Sequence, residues 1–296
     1  MKVSVVIPVY NVERYLARCL DSVLAAAEGR DVEVVCVNDG STDGSAAVLA
    51  RYADRVKVVE KENGGLGSAR NAGLDAMTGD YVMFVDSDDW IPRDAIDVFS
   101  SVARESGAAL VVSTSFCRNR GPRSSSRSPA WKMRPSTWIA GKKVQYSSCN
   151  KLYRADLFRT RRYPATVYED FPVTTDILCE VGELAAVDAP MYVYCTNDGS
   201  ASLVRSPFTE RKARDSLAVV RMVLETSRRQ ADPRLVRFAL RQAGDGHSST
   251  IGQVYRAKDE GIREVFLRGH GELVRDYPEL RSVLGLKARV RLWRMR

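Results

Sequence analysis

Three carboxylates fall within four positions at Asp86-Ser87-Asp88-Asp89. Charges that close repel unless a cation or a set of hydrogen-bond donors lies among them. Mg²⁺ and Mn²⁺ are typically held by one or two carboxylates together with substrate phosphates. The cluster therefore suggests a clamp for a divalent cation and a diphosphate. The alternative is a solvated acidic turn capping the helix that follows Pro92. Two more polar clusters accompany it: Pro8-Val9-Tyr10-Asn11, and Asn38-Asp39-Gly40-Ser41-Thr42-Asp43-Gly44. Asp39 can accept hydrogen bonds from a nucleobase N–H or a ribose hydroxyl, or it can cap a helix, although Asp43 suits that role better. Asn63-Gly64-Gly65-Leu66-Gly67 is a Gly-rich helix entry that lets backbone approach a ligand, and equally a tight turn. Arg70 and Asn71 follow on that helix.

The elements that would position these clusters are legible in the spacing. Val3–Pro8, Val32–Val37, Val56–Val59, Tyr81–Val85 and Ala109–Ser113 are short β-branched, strand-like runs. Val12–Leu24, Ser45–Tyr52, Leu66–Met77 and Asp94–Arg104 have helical periodicity. Strand–helix alternation predicts an α/β fold with a mainly parallel sheet and helices on both faces. Such sheets bind ligands at the carboxyl ends of their strands, where all three clusters fall. Arg118–Pro135 is rich in Arg, Ser, Gly and Pro and reads as a mobile loop. Regular structure is expected again over Trp138–Tyr146. Helices are expected over Asn150–Phe158 and Asp170–Val181, a strand pair or one long strand over Ala185–Tyr194, and helices from Phe208 onward.

The runs VSVVIPVYNVERYLARCLDSVL, VVCVNDGSTDGS, EKENGGLGSARNAGLDAMTGDYVMFVDSDDW and YED together resemble family 2 glycosyltransferases of the GT-A (Rossmann-like) fold. The resemblance is dense up to Ser115 and thins through CNKLYRADLF and YEDF to Ser202. It implies that Pro8, Tyr10 and Asp39 contact the nucleotide base and ribose, and that Arg70 lies near the base or diphosphate. It makes Asp86 and Asp88 a DXD motif holding Mn²⁺ or Mg²⁺, with Asp88 the direct ligand. Asp170 matches the catalytic base; Glu169 is its neighbour, and a Glu-Asp pair also suits a helix start on capping and dipole grounds. The implied activity is inverting, metal-dependent transfer of a hexose or N-acetylhexosamine from a nucleotide sugar, a UDP-sugar, to an acceptor hydroxyl in cell-envelope polysaccharide synthesis. The acceptor would be a saccharide or a lipid-linked saccharide. Processive members carry a QxxRW motif and membrane helices. Here Gln253-Val254-Tyr255-Arg256 is followed by Ala257, and single-sugar addition is expected. A nucleotidyltransferase would need a basic Gly-rich loop after the first strand, which Pro8-Val9-Tyr10-Asn11 does not supply. A non-catalytic nucleotide-sugar-binding protein is the other alternative.

The 296 residues, 45% hydrophobic and 28% charged, can support a sizeable core. Three regions are expected: a nucleotide-sugar-binding half over 1–118, an acceptor-side half over 119–202 with the loop 118–135, and a basic helical region over 203–296. That last region carries 21 Lys+Arg against 11 Asp+Glu and holds the whole of the net charge of +8. It lacks interleaved aromatics or a nucleic-acid module, so no nucleic-acid partner is expected. Its last residues, Leu286 to Arg296, mix Leu, Val, Trp and Met with five Lys/Arg, as a helix lying on an anionic membrane surface would. No apolar run approaches the ~20 residues that span a bilayer, and no secretory signal is evident. A cytoplasmic chain, peripheral at the inner face of the membrane, is the expectation. Six scattered cysteines without a CxxC pair read as core residues, and His247 and His270 as ordinary histidines.

Overall fold

The computed structural model describes residues 1–119, 130–133, 146–196 and 206–295. Two compact units emerge. The first comprises Met1–Pro135, Ser147–Ala165 and Val181–Ser200; the second comprises Ser136–Tyr146, Thr166–Glu180 and Ala201–Arg296.

The first unit is built on β1 (Val3–Val9), whose seven residues are all buried. Its apolar run fits a strand with partners on both sides: β2 (Val32–Asp39) and β4 (Tyr81–Phe84), both parallel to it. β3 (Lys57–Lys61) adds to β2, again in parallel. Helix α1 (Glu13–Ala27) buries Leu16, Cys19, Leu20, Val23 and Leu24, the one-face spacing seen in the sequence. Short α2 (Ser45–Ala50), α3 (Leu66–Ala76) and α4 (Ala95–Ser106) complete the alternation. Gly73 lets α3 lie tightly against the sheet: a Cβ there would come within 2.3 Å of the Val6 Cγ1. Gly73→Ala is expected to destabilise the fold by about 1–3 kcal/mol through overpacking. The check is a lower urea midpoint at unchanged slope.

Beyond β5 (Leu110–Ser113) the order becomes non-sequential. The full sheet runs β3-β2-β1-β4-β8-β5-β9-β7, where β7 is Ala130–Met133, β8 is Lys151–Arg154 and β9 is Leu184–Val187. β9 is parallel to β5, whereas β8 and β7 run antiparallel to their neighbours. The sheet is thus mostly parallel, with flanking helices, as the alternation predicts. A small second sheet joins β6 (Cys117–Arg118) to β10 (Val193–Tyr194).

Three expectations change. The helix predicted over Asn150–Phe158 is strand β8 followed by a single 3₁₀ turn, Ala155–Phe158. Lys151, Leu152 and Tyr153 are buried in succession because β8 lies between two strands, and that pairing overrides helical spacing. Within the stretch read as a loop, residues 130–133 form β7 by pairing with β9, a partner that local composition does not reveal. The remainder of that stretch from 120 to 129, and residues 134–145, lie outside the described residues, as does nearly all of the regular structure expected over Trp138–Tyr146. Ala185–Tyr194 holds two strands that belong to different sheets.

The second unit is helical: α5 (Asp170–Glu180), α6 (Glu210–Arg229), α7 (Pro233–Ala257), α8 (Glu260–Asp276), α9 (Leu280–Val283) and α10 (Leu286–Met295). Side-chain caps mark three starts. Thr209 accepts from the Lys212 N–H, Asp232 from Arg234 with Pro233 in the first turn, and Asp259 from Ile262. One apolar cluster gathers Phe171, Val220, Val223, Leu224, Ala243 and Leu273. Another gathers Ala213, Ile251, Val254, Phe266, Leu284, Ala288 and Leu292. His247 and His270 are core residues, joined to each other at 2.8 Å. No described helix is long and apolar enough to cross a membrane.

Candidate active site

In the first unit β1, β2 and β4 run parallel, so the polar clusters after them share one edge of the sheet. The first two are tied directly. Asn11 adopts a left-handed backbone, φ 52°. Its side-chain oxygen accepts the Thr42 N–H at 2.8 Å, and its own N–H donates to Ser41 Oγ at 3.2 Å. Pro8 is buried in β1, and Tyr10 is 46% exposed at its end.

Asp39 closes β2 and is almost wholly buried. Its carboxylate accepts the backbone N–H groups of Gly64 at 3.0 Å and Gly65 at 2.8 Å. The β2–β3 register puts Lys61 opposite it, and the two side chains form an ion pair. The Gly-rich entry is thus folded around a buried charge. Gly40 and Gly65 both have positive φ, and a Cβ on Gly40 would lie 2.8 Å from the Asn63 nitrogen. A carboxylate offers about four acceptor positions, so these three donors leave room for one more.

Arg70 is 1% exposed and donates to Asp86 Oδ1 at 2.9 Å. Its guanidinium carbon lies 5.4 Å from the centre of the Tyr163 ring. Asn71 holds the Tyr163 backbone at both its N–H and its carbonyl, each at 2.9 Å.

The turn after β4 separates its three carboxylates by environment. Asp89 is 1% exposed, accepts from Tyr192 Oη at 2.6 Å and from the Cys195 N–H at 2.7 Å. Burial, reinforced by the charges of Asp86 and Asp88, pushes its carboxyl up to about 8. The same Tyr192 oxygen accepts the Asp86 N–H at 3.1 Å. Asp86, paired with Arg70, keeps 29% of its side chain exposed. Asp88 is half-buried, and its backbone carbonyl accepts from Arg18 of α1 at 2.7 Å. Asp89 is therefore a brace, whereas Asp86 and Asp88 stay partly exposed. Arg18, Lys61, Tyr163 and Tyr192 join the site without having been singled out in the sequence. Among the described residues no group of three or more His, Cys, Asp or Glu is gathered to hold a metal alone. The donor set fits Mg²⁺ or Mn²⁺ in the form in which phosphate oxygens complete the shell.

In the second unit Asp170 opens α5, where the helix dipole favours a negative charge. Glu169 before it is 4% exposed. Tyr168 has a left-handed backbone, φ 67°, and its carbonyl accepts the Phe171 N–H at 3.2 Å. Val167 donates to Asp215 at 3.0 Å.

A mostly parallel sheet with an aspartate closing β2 and others just beyond β4 defines a GT-A-like fold. Over the whole chain it superposes on Staphylococcus aureus TarS 1–349 in complex with UDP-GlcNAc, with a TM-score of 0.77, 23% identity and 89% of that chain covered. The mannosyltransferase PcManGT from Pyrobaculum calidifontis, in complex with GDP-Man and Mn²⁺, matches with a TM-score of 0.57 and 19% identity, over 99% of this chain and 87% of that one. At these identities the likeness is one of fold. Residues 4–162, more than half of the chain, match Glycosyl transferase family 2, and the chain belongs to that family. Glycosyltransferase GlyA of Streptococcus pneumoniae is 43% identical over 121 residues, which are 40% of this chain and 17% of that protein. A poly(ribitol-phosphate) beta-glucosyltransferase of Bacillus spizizenii is 37% identical over 118 residues, 38% of this chain and 19% of that protein. The matched stretch thus spans less than a fifth of either relative.

Proposed function

We propose that this chain moves a single hexosyl or N-acetylhexosaminyl group from a UDP-sugar to an acceptor hydroxyl, inverting the anomeric centre. The acceptor is a saccharide or lipid-linked saccharide of the cell envelope, and the reaction takes place at the inner face of the membrane. The observation that carries the reading is the division of labour in the turn after β4. One carboxylate is a buried brace, while Asp86 pairs with the buried Arg70 and Asp88 follows two residues on, half-buried. Family membership, TarS with its UDP-GlcNAc and the beta-glucosyltransferase of Bacillus spizizenii support the same class of donor and reaction.

In this reading Pro8, Tyr10 and Asp39 receive the nucleoside, with the remaining acceptor position of Asp39 taking a base N–H or ribose hydroxyl. Arg70 fixes Asp86 and adds positive charge toward the diphosphate. Asp88, with Asp86, would hold Mn²⁺ or Mg²⁺, which when bound neutralises charge building on the leaving diphosphate. Asp170 takes the proton from the attacking hydroxyl. The transition state is oxocarbenium-like, as in other glycosyl chemistry.

A donor panel tests this. With Mn²⁺ present, slow UDP release is expected from one UDP-hexose or UDP-N-acetylhexosamine. No release from any UDP-sugar, with release from a GDP-sugar, overturns the donor assignment. Binding of the UDP-sugar without turnover, even with envelope acceptors added, favours a non-catalytic binding protein.

A further inference from the structure

Helix α10 has two apolar faces, and only one of them has a partner. Ala288, Leu292 and Met295 are buried, packed with Ile251, Val254 and Phe266 of the second unit. Leu286, Val290 and Trp293 lie at positions i, i+4 and i+7, one stripe on the other side of the helix. They are 78%, 41% and 76% exposed. Among the described residues only five large apolar side chains are exposed, and three of them are on this ten-residue helix. A surface helix of a globular unit ordinarily turns a polar face outward. Here the outward stripe is apolar and flanked by cations, Lys287 and Arg294 on one side and Arg289 on the other, by helical spacing. Arg289 also bonds the backbone carbonyls of Arg281 and Leu284, which fixes its guanidinium beside the stripe. From Leu280 to Arg296 the sequence holds six Lys/Arg and no Asp or Glu.

We propose that this face of α10 docks on an anionic phospholipid surface, with Leu286, Val290 and Trp293 entering the headgroup–acyl boundary and Lys287, Arg289 and Arg294 pairing with lipid phosphates. An apolar stripe alone would suit a protein partner equally. The uninterrupted positive charge beside it selects a negative surface, and a tryptophan at the stripe suits the boundary between headgroups and acyl chains. The inward face already holds the helix on its own unit, so docking needs no rearrangement. This inference goes beyond the transfer reading and does not depend on it.

The test uses the 296-residue chain and vesicles of phosphatidylcholine with or without phosphatidylglycerol. The chain is expected to sediment with phosphatidylglycerol vesicles and not with phosphatidylcholine alone. Binding should weaken as salt rises, because surface attraction is screened. Lys287→Glu/Arg294→Glu should weaken binding by about 20-fold or more, at about fivefold for each basic residue near such a surface. Leu286→Ser/Trp293→Ser should abolish the blue shift of tryptophan fluorescence on vesicle addition. Both variants change exposed side chains, so thermal midpoint and UDP release should match the parent. Sedimentation of either variant equal to that of the parent overturns the proposal. So does equal binding to neutral vesicles, absence of binding to either vesicle, or a self-association in solution that Leu286→Ser/Trp293→Ser dissolves.

Discussion

Asp170→Asn is expected to slow sugar transfer by about 10²-fold or more, the usual range for losing a general base. UDP affinity should barely change, because a group that takes a proton from the acceptor has no part in holding the nucleotide. Asn is nearly isosteric and still accepts hydrogen bonds at the start of α5, so the helix should survive. The measurement pairs steady-state transfer with calorimetric UDP binding. Transfer by Asp170→Asn close to the parent rate would move the base elsewhere, and Glu169 is the nearest candidate. Glu169 is buried, whereas Asp170 is only half-buried, so Glu169→Gln is expected to lower the thermal midpoint as well as the rate.

Asp88→Asn should also remove most activity, by about 10²- to 10³-fold, the range for losing one electrostatic stabiliser of a developing charge. The signature differs from that of Asp170→Asn. The parent should bind UDP weakly without a divalent cation and more tightly with Mn²⁺, and Asp88→Asn should lose the difference. The fold should persist, since Asp89, Tyr192, Cys195 and the Asp88 backbone carbonyl brace the turn and Asn keeps the size and hydrogen-bonding capacity of Asp. Full turnover after chelator treatment would remove the cation from the mechanism.

The first half of the chain is legible because its signals are local. Apolar residues of α1 recur at helical spacing, and β1 reads as a strand buried on both sides because it is one. The polar clusters could be placed together by topology alone, since parallel strands deliver their ends to one edge. What could not be read was pairing. β8 looks helical by spacing and is a strand because β4 and β5 receive it. The separate role of Asp89 depends on Tyr192 and on Cys195, which lies 106 residues further along, and no spacing within Asp-Ser-Asp-Asp marks which aspartate is buried. Lys61 is set opposite Asp39 by register, which the sequence reveals only once β2 and β3 are known to pair. The exposure of the α10 stripe was equally beyond reach, because spacing shows that a helix has an apolar face without showing whether it is covered.

The position of β8 has a consequence for biosynthesis. It lies between β4 and β5, yet the ribosome makes it about forty residues after β5. Until Arg154 has cleared the exit tunnel, β4 presents a bare edge next to three strands already able to pair, and β5 has no neighbour on either side. The unfinished sheet is then a template for pairing with other chains. A chain interrupted shortly after Ser113 would retain Asp39, Arg70, Asp86 and Asp88 and still leave those edges open. Completion of this sheet therefore waits on late-synthesised strands, and quality-control factors that shield unpaired edges have their longest window between the emergence of β4 and that of β8.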